Sequence, residues 1–145
     1  MPEMHIRKAK PNDQQAVFEL ARELATSFTV EQDSFVASFT IILNDENSHL
    51  LVAEKRGRIV GHLLGFDHFA FYANGRIAWV EELYVLSSAR KQGVGKALMT
   101  AFETPPTQRH SKLIALATRR AHKFYNAIGY QESAIYLSVL AIPSS

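Results

Sequence analysis

The sequence has no cysteine, which removes disulfide scaffolds, thiolate nucleophiles and cysteine-ligated metals from consideration. It has no apolar stretch near the roughly 20 residues that a membrane-spanning helix requires. The charged opening from Met1 to Lys10 lacks the apolar middle of a secretory leader. The expectation is a cytoplasmic protein with no membrane partner. The six histidines show no HExxH or similar ligand spacing, so no metal is expected. His62 and His68 fall on one side of an extended strand, where such residues serve more often in packing or at the surface than as ligands. Charge of one sign is also missing: 16 basic residues against 14 acidic ones leave a net +2, so nucleic acid is not an expected partner. The local groups Arg90, Lys91 and Lys96, and Arg119, Arg120 and Lys123, suit a small polyanion such as a nucleotide-bearing cofactor.

What is present fits one domain. A length of 145 residues with 47% apolar content lies in the commonest size range for a single core, about 100 to 150 residues, and no linker or repeat divides residues 1–145. His5 to Ala9 reads as a strand. Asn12 with Gln15 and Thr29 with Gln32 both have capping-box spacing and open two helices, with Val17, Leu20, Ala21 and Leu24 inward in the first and Val36, Phe39 and Ile42 or Leu43 in the second. His49 to Glu54 and Ile59 to Phe66 form a hairpin about Gly57. Ile77 to Leu86 is a further strand, Val94 to Phe102 a helix ended by Pro105-Pro106, and Leu113 to Ala117 a strand. Ala121 to Ile128 is a helix stopped by Gly129, and Tyr130 to Leu140 returns as sheet. The order is β-α-α-β-β-β-α-β-α-β, an α+β domain with a mixed sheet.

Strict alternation along Ile77 to Leu86 puts Trp79, Glu81, Leu83 and Val85 on one face and Ala78, Val80, Glu82 and Tyr84 on the other. The two adjacent carboxylates then point apart unless a bulge re-aims one. After this strand, Arg90-Lys91-Gln92-Gly93-Val94-Gly95-Lys96 opens a helix. A helix start offers unpaired N–H groups and a positive dipole end, and Gly93 and Gly95 would let a phosphate approach the main chain. The spacing matches neither the dinucleotide fingerprint, whose third glycine would fall on Leu98, nor the P-loop, so hydride transfer and nucleotide hydrolysis lose support.

Glu81-Glu82-Leu83-Tyr84-Val85 followed by Arg90-x-x-Gly93-x-Gly95 resembles the acetyl-coenzyme A signature of the GNAT acetyltransferase superfamily. Ala121 to Tyr130 is similar to that family's late A-x-x-F-Y-x-x-x-G-F/Y helix. The two blocks come in the family's order, and the element order is also the family's, with a mostly antiparallel sheet. The resemblance implies a V-shaped opening between the Trp79 to Leu86 and Leu113 to Ala117 strands. The cofactor, acetyl-coenzyme A, would lie there on the main chain of Leu83, Tyr84 and Val85, with its pyrophosphate on the amides of Gln92, Gly93, Val94, Gly95 and Lys96. Arg90 and Lys91 belong to the same loop, and Thr118 stands where many members have asparagine.

The resemblance further implies Glu81 as base and Glu82 as a contact to the amine. Tyr125 would serve as donor to the departing thiolate. Phe71 and Tyr72 would belong to an acceptor pocket, and a homodimer is a further expectation. The acceptor would be a small-molecule amine of polyamine, amino-sugar or lysine-like type. A module that binds coenzyme A without turnover, a protein N-terminal or lysine acetyltransferase, and a basic interaction domain stay open as alternatives.

Overall fold

The computed structural model describes residues 4–25, 28–103, 111–118 and 121–141. The expectations for Pro105, Pro106, Arg119 and Arg120 lie outside the described residues. Strand β1 (Met4–Lys8) leads through a short 3-10 turn (Pro11–Asp13) into helix α1 (Gln14–Leu24), followed by α2 (Gln32–Leu43). Strands β2 (Ser48–Lys55), β3 (Arg58–Ala70) and β4 (Gly75–Val85) come next, then α3 (Val94–Glu103), β5 (Ser111–Leu116) and α4 (His122–Ala127). The five strands form one sheet in the order β1-β2-β3-β4-β5, antiparallel throughout except for the parallel β4–β5 junction. The α+β class and mixed sheet agree with the sequence.

The sheet is covered on both faces, so its central strands are apolar on both sides. Val52 and Ala53, neighbours in β2, both have 0% exposure because they face opposite layers. Val52 joins Val17, Phe39, Leu50 and Leu64 under α1 and α2. Ala53 joins Leu63, Ala78, Val80, Leu98, Met99 and Phe102 under α3. Each large side chain so enclosed contributes roughly 1.5–3 kcal/mol of transfer free energy, which outweighs the weak capping of the helices.

Neither capping box forms. The Asp13 carboxylate accepts the Lys10 N–H at 2.7 Å and the Arg7 guanidinium at 2.8 and 3.0 Å, and Gln15 turns to Glu19 instead. The second helix starts after Glu31, past Thr29, with no side-chain cap.

Residues 131–140 carry no strand, contrary to the expectation for Tyr130 to Leu140, and all of them are exposed. An alternating pattern becomes a strand only where an edge supplies its hydrogen bonds. Among the described residues no such pairing is made outside β5. The segment touches the sheet where Tyr136 stacks on Trp79, with ring centroids 6.3 Å apart.

Candidate functional site

The site begins where β4 parts from β5. Their parallel pairing runs from Arg76↔Ser111 to Val80↔Leu116 and stops there, while β4 continues to Val85 beside β3 alone. The Glu81–Val85 stretch therefore has one unpaired edge facing the split, where backbone N–H and C=O groups need other partners. This split lies where the resemblance implied a V-shaped opening.

A bulge lies at the same point. Leu64 pairs with Glu82 but Gly65 pairs with Val80, so Glu81 is the extra residue on β4. The bulge shifts the alternation by one. Ala78 and Val80 face the α3 layer before it, and Leu83 and Val85 face that layer after it. The face assignment from strict alternation is thus corrected: Glu81 and Glu82 both line a cavity on the α1/α2 side rather than pointing apart.

That cavity, about 540 Å³, is walled by apolar and aromatic groups from α1, α2 and the connection between them, including Phe28 of the connection and Phe35 and Phe39 of α2, with Ser34 and Ser38 among them. Its ionisable lining consists of Glu31, Glu81, Glu82 and His62, and no lysine or arginine is among the described residues that line it. Glu82 Oε1 lies 2.9 Å from Nε2 of His62, a side chain only 1% exposed. Glu81 Oε1 accepts the indole N–H of Trp79 at 3.1 Å. The hydroxyl of Tyr84 donates to Glu23 of α1 at 2.9 Å, tying the strand to the helical layer, and burial and that hydrogen bond raise its pKa. Phe71 and Tyr72 lie elsewhere, exposed on the β3–β4 turn, and neither lines the cavity.

On the other side of the split, the loop after β4 delivers α3. The first α-helical bond runs from Ala97 N–H to Gly93 C=O, so the N–H groups of Val94, Gly95 and Lys96 precede any i→i−4 acceptor. Gly93 sits at φ +82°, a left-handed conformation that favours glycine, and a Cβ there would meet nothing within 4 Å. Gly95 serves differently, because its Cβ would lie 3.3 Å from Phe124 Cζ. Its missing side chain lets α4 seat on the first turn of α3, where the sequence reading had assigned it to phosphate approach.

Arg90 is held by its Nε donating to Val85 C=O at 2.9 Å and by its guanidinium lying 5.2 Å from the Tyr84 ring centre. Lys55 donates to Gln92, and Lys91 takes φ +62°. These contacts fix the loop's shape while Lys91 and Lys96 stay exposed. The Thr118 hydroxyl accepts the Ala121 N–H at 3.1 Å and so shapes the entry to α4.

Tyr125 stands edge-on between Phe124 and Tyr130, at centroid distances of 5.0 and 5.9 Å. Burial pushes its phenol up to about 12, so it keeps its proton across the neutral range.

The sequence reading missed His62 as a partner of Glu82, as well as Glu31 and the Trp79 indole. A histidine inside the apolar run Gly61-His62-Leu63-Leu64-Gly65, next to a strand bearing two carboxylates, was the signal available. Among the described residues no three histidine, aspartate or glutamate side chains gather as a metal-ligand set. No helix among them is long and apolar enough to cross a membrane.

Residues 46–132 match the family described as acetyltransferase (GNAT) domain. The chain is 31% identical over 137 residues to the aminoalkylphosphonate N-acetyltransferase of Salmonella typhimurium, covering 92% of this chain and 88% of that protein. The crystal structure of a transcriptional regulator from Bacillus halodurans is similar with a TM-score of 0.87 at 26% identity, covering 95% of this chain and 99% of that one. An aminoglycoside N-acetyltransferase solved in complex with CoA gives a TM-score of 0.85 at 22% identity, covering 97% and 95% respectively.

Proposed function

Because the chain belongs to the GNAT family of acetyltransferases, and is on that ground an acyltransferase, we propose that it transfers an acetyl group from acetyl-coenzyme A to a small cationic amine. Polyamine-, amino-sugar- and lysine-like amines make up the acceptor class. The observation that carries this reading is the pairing, across one split in the sheet, of an acid-lined cavity with a helix N-terminus.

The described residues fit the cofactor. The ten-residue helix α3 directs its first N–H groups and positive dipole end outward, and open space lies at Gly93. The amides of Gln92 to Lys96 would hold the pyrophosphate, with Arg90, Lys91 and Lys96 adding positive charge. The free edge of Leu83, Tyr84 and Val85 would hold the pantetheine. When bound, acetyl-coenzyme A supplies an acetyl thioester as the electrophile.

An alkylammonium with a pKa near 10 must lose a proton before its nitrogen can attack. The bulge gives β4 adjacent carboxylates on the cavity side to accept that proton and to hold a second positive charge. Tyr125, pushed up to about 12, is a weaker acid than a thiol at about 8.5. Its role at the departing sulfur is to donate a hydrogen bond while keeping its proton.

The Salmonella relative is named for aminoalkylphosphonates. An acceptor of that kind would bring an anion beside Glu31, Glu81 and Glu82 with no lysine or arginine among the described lining residues. This favours a cationic acceptor here.

Calorimetry with acetyl-coenzyme A, followed by thiol release with a panel of amines, tests the proposal. The wild type should bind saturably, and Gly93→Asp, which sets a carboxylate at the helix start with little steric clash, should weaken binding at least about tenfold. Absence of binding by folded wild type would end the reading. Binding without thiol release from any amine would leave a coenzyme A-binding module in its place.

A further inference from the structure

His62 occupies the middle of β3 with 0% exposure. Its Nε2 meets Glu82 Oε1 at 2.9 Å. The carboxylate can only accept, so Nε2 carries the proton and Nδ1 is left as an acceptor. That Nδ1 is buried with no hydrogen-bond partner. The strand position across from it in β2 is Val52, and Leu50 and Leu64 belong to the same layer, so an aliphatic side chain would suit these surroundings better than an imidazole. A buried polar atom without a partner destabilises a fold, and the contact with Glu82 is the one hydrogen bond this ring makes in exchange.

We propose that Glu82 is the proton acceptor of the pair and that His62 is its positioning residue. The proposal rests on the acetyl-transfer reading above. Glu82 is half-buried at the cavity wall, its Oε1 engaged by the buried His62 ring. Glu81 is exposed and accepts instead from the half-buried Trp79 indole. The charged groups that face the pair are Glu81 on the same strand and Glu31 just before α2. Glu23 of α1 is engaged by Tyr84.

With Oε1 held by His62, Oε2 of Glu82 takes the proton. An N–H bond of the substrate ammonium breaks, an O–H bond to Glu82 forms, and the freed nitrogen lone pair becomes the nucleophile. The proton then leaves Glu82 for solvent through the cavity mouth. His62 keeps its own proton throughout, and its N–H stops the carboxylate from rotating away from the amine. The sequence expectation of Glu81 as base and Glu82 as amine contact is thereby exchanged: Glu82 accepts the proton, while Glu81 and Glu31 hold positive charge elsewhere on the acceptor.

The test compares wild type, His62→Leu, Glu82→Gln and the double variant in thiol release, with acetyl-coenzyme A affinity and melting temperature measured in parallel. His62→Leu should lower kcat about 30-fold, less than the roughly 10²- to 10⁴-fold contribution of a general base because the base itself remains, while the amine KM and acetyl-coenzyme A Kd stay within about twofold. The double variant should be no slower than Glu82→Gln alone. His62→Gln, whose amide can donate to Glu82, should recover kcat to within about threefold of wild type, and His62→Met should not.

The Gln and Met pair makes the same comparison if the Leu variant fails to fold. A wild-type kcat in His62→Leu, multiplying losses in the double variant, or equal kcat for Gln and Met would each overturn the proposal. Wild type that releases no thiol with any amine would overturn the acetyl-transfer reading itself. An active wild type with an unaffected His62→Leu would overturn only the role of His62.

Discussion

Two histidine–carboxylate contacts tie β3 to its neighbours, and they are built in opposite senses. His49 of β2 reaches Asp67 of β3 at 2.7 Å, and His62 of β3 reaches Glu82 of β4 at 2.9 Å. In the first the carboxylate is sealed, with a side chain 1% exposed against 17% for its histidine. In the second the histidine is sealed at 1% and the carboxylate keeps 35%. The same functional groups at similar separation thus make a clamp in one place and, in the proposed mechanism, a supported base in the other. What differs besides is that the cavity reaches the second pair and not the first. His49 also lies edge-on to Phe102, at a centroid distance of 6.2 Å, and Asp67 donates its N–H to Asn47 C=O, contacts that belong to the frame of the sheet.

The largest expected effect is at the open carboxylate. Glu82→Gln should lower kcat about 10²- to 10⁴-fold, the usual contribution of a positioned base, with the melting temperature little changed. Steady-state thiol release and thermal unfolding on one preparation check both halves. Asp67→Asn should reverse the pattern, losing about 1–3 kcal/mol of stability because it weakens a buried hydrogen-bonded pair, while kcat measured below its melting temperature stays at the wild-type value. If Asp67→Asn were the slow enzyme and Glu82→Gln the unstable one, the comparison would be inverted.

A further buried carboxylate extends the clamp class. The Arg7 guanidinium, through its hydrogen bonds, holds Asp13 below the usual carboxylate range, and the Lys10 N–H adds to this. A depressed folded pKa stabilises at pH values above the unfolded value, near 4, and that contribution is lost as pH falls through the folded value. Asp13→Asn should therefore be less stable at pH 7, by about 1–3 kcal/mol. Its stability should also fall less steeply between pH 5 and pH 2 than that of wild type, as read from urea midpoints. The smallest effect is at Tyr125. In the proposed reaction its phenol would donate one hydrogen bond to the departing sulfur, so Tyr125→Phe should slow kcat only about three- to tenfold, the worth of one such bond, and should leave amine selectivity unchanged.

Much of this was legible in the chain. The two-helix opening, the β2–β3 hairpin and the strand–glycine loop–helix passage all follow from periodicity and turn residues, because each is a local pattern, whereas the split beside β4 came only from the family resemblance. The positions of Glu81 and Glu82 were not legible. A single bulged residue between Val80 and Glu82 swaps every later face of β4, and a bulge is a property of two strands in register, invisible along one.

For the same reason His62 was read only by its spacing to His68, whereas its role comes from a neighbour 20 residues away. The two glycines of the loop looked alike in sequence, yet Gly93 answers to backbone conformation and Gly95 to the Phe124 ring. The strand expected over Tyr130 to Leu140 found no sheet edge among the described residues. Asn12 and Thr29 had cap spacing, but Asp13 and its contact to Arg7 set the start of α1.

The central claim, acetyl transfer to a cationic amine at the acid-lined cavity, is most directly tested by comparing two acceptors of equal length, one a diamine and one an amine whose far end is a phosphonate. Measured as kcat/KM with acetyl-coenzyme A saturating, the diamine should be favoured at least about 100-fold, as expected when one partner's charge complements the cavity's carboxylates and the other's opposes them. Equal rates, or preference for the phosphonate, would contradict the account and mean that Glu31, Glu81 and Glu82 do not select the acceptor.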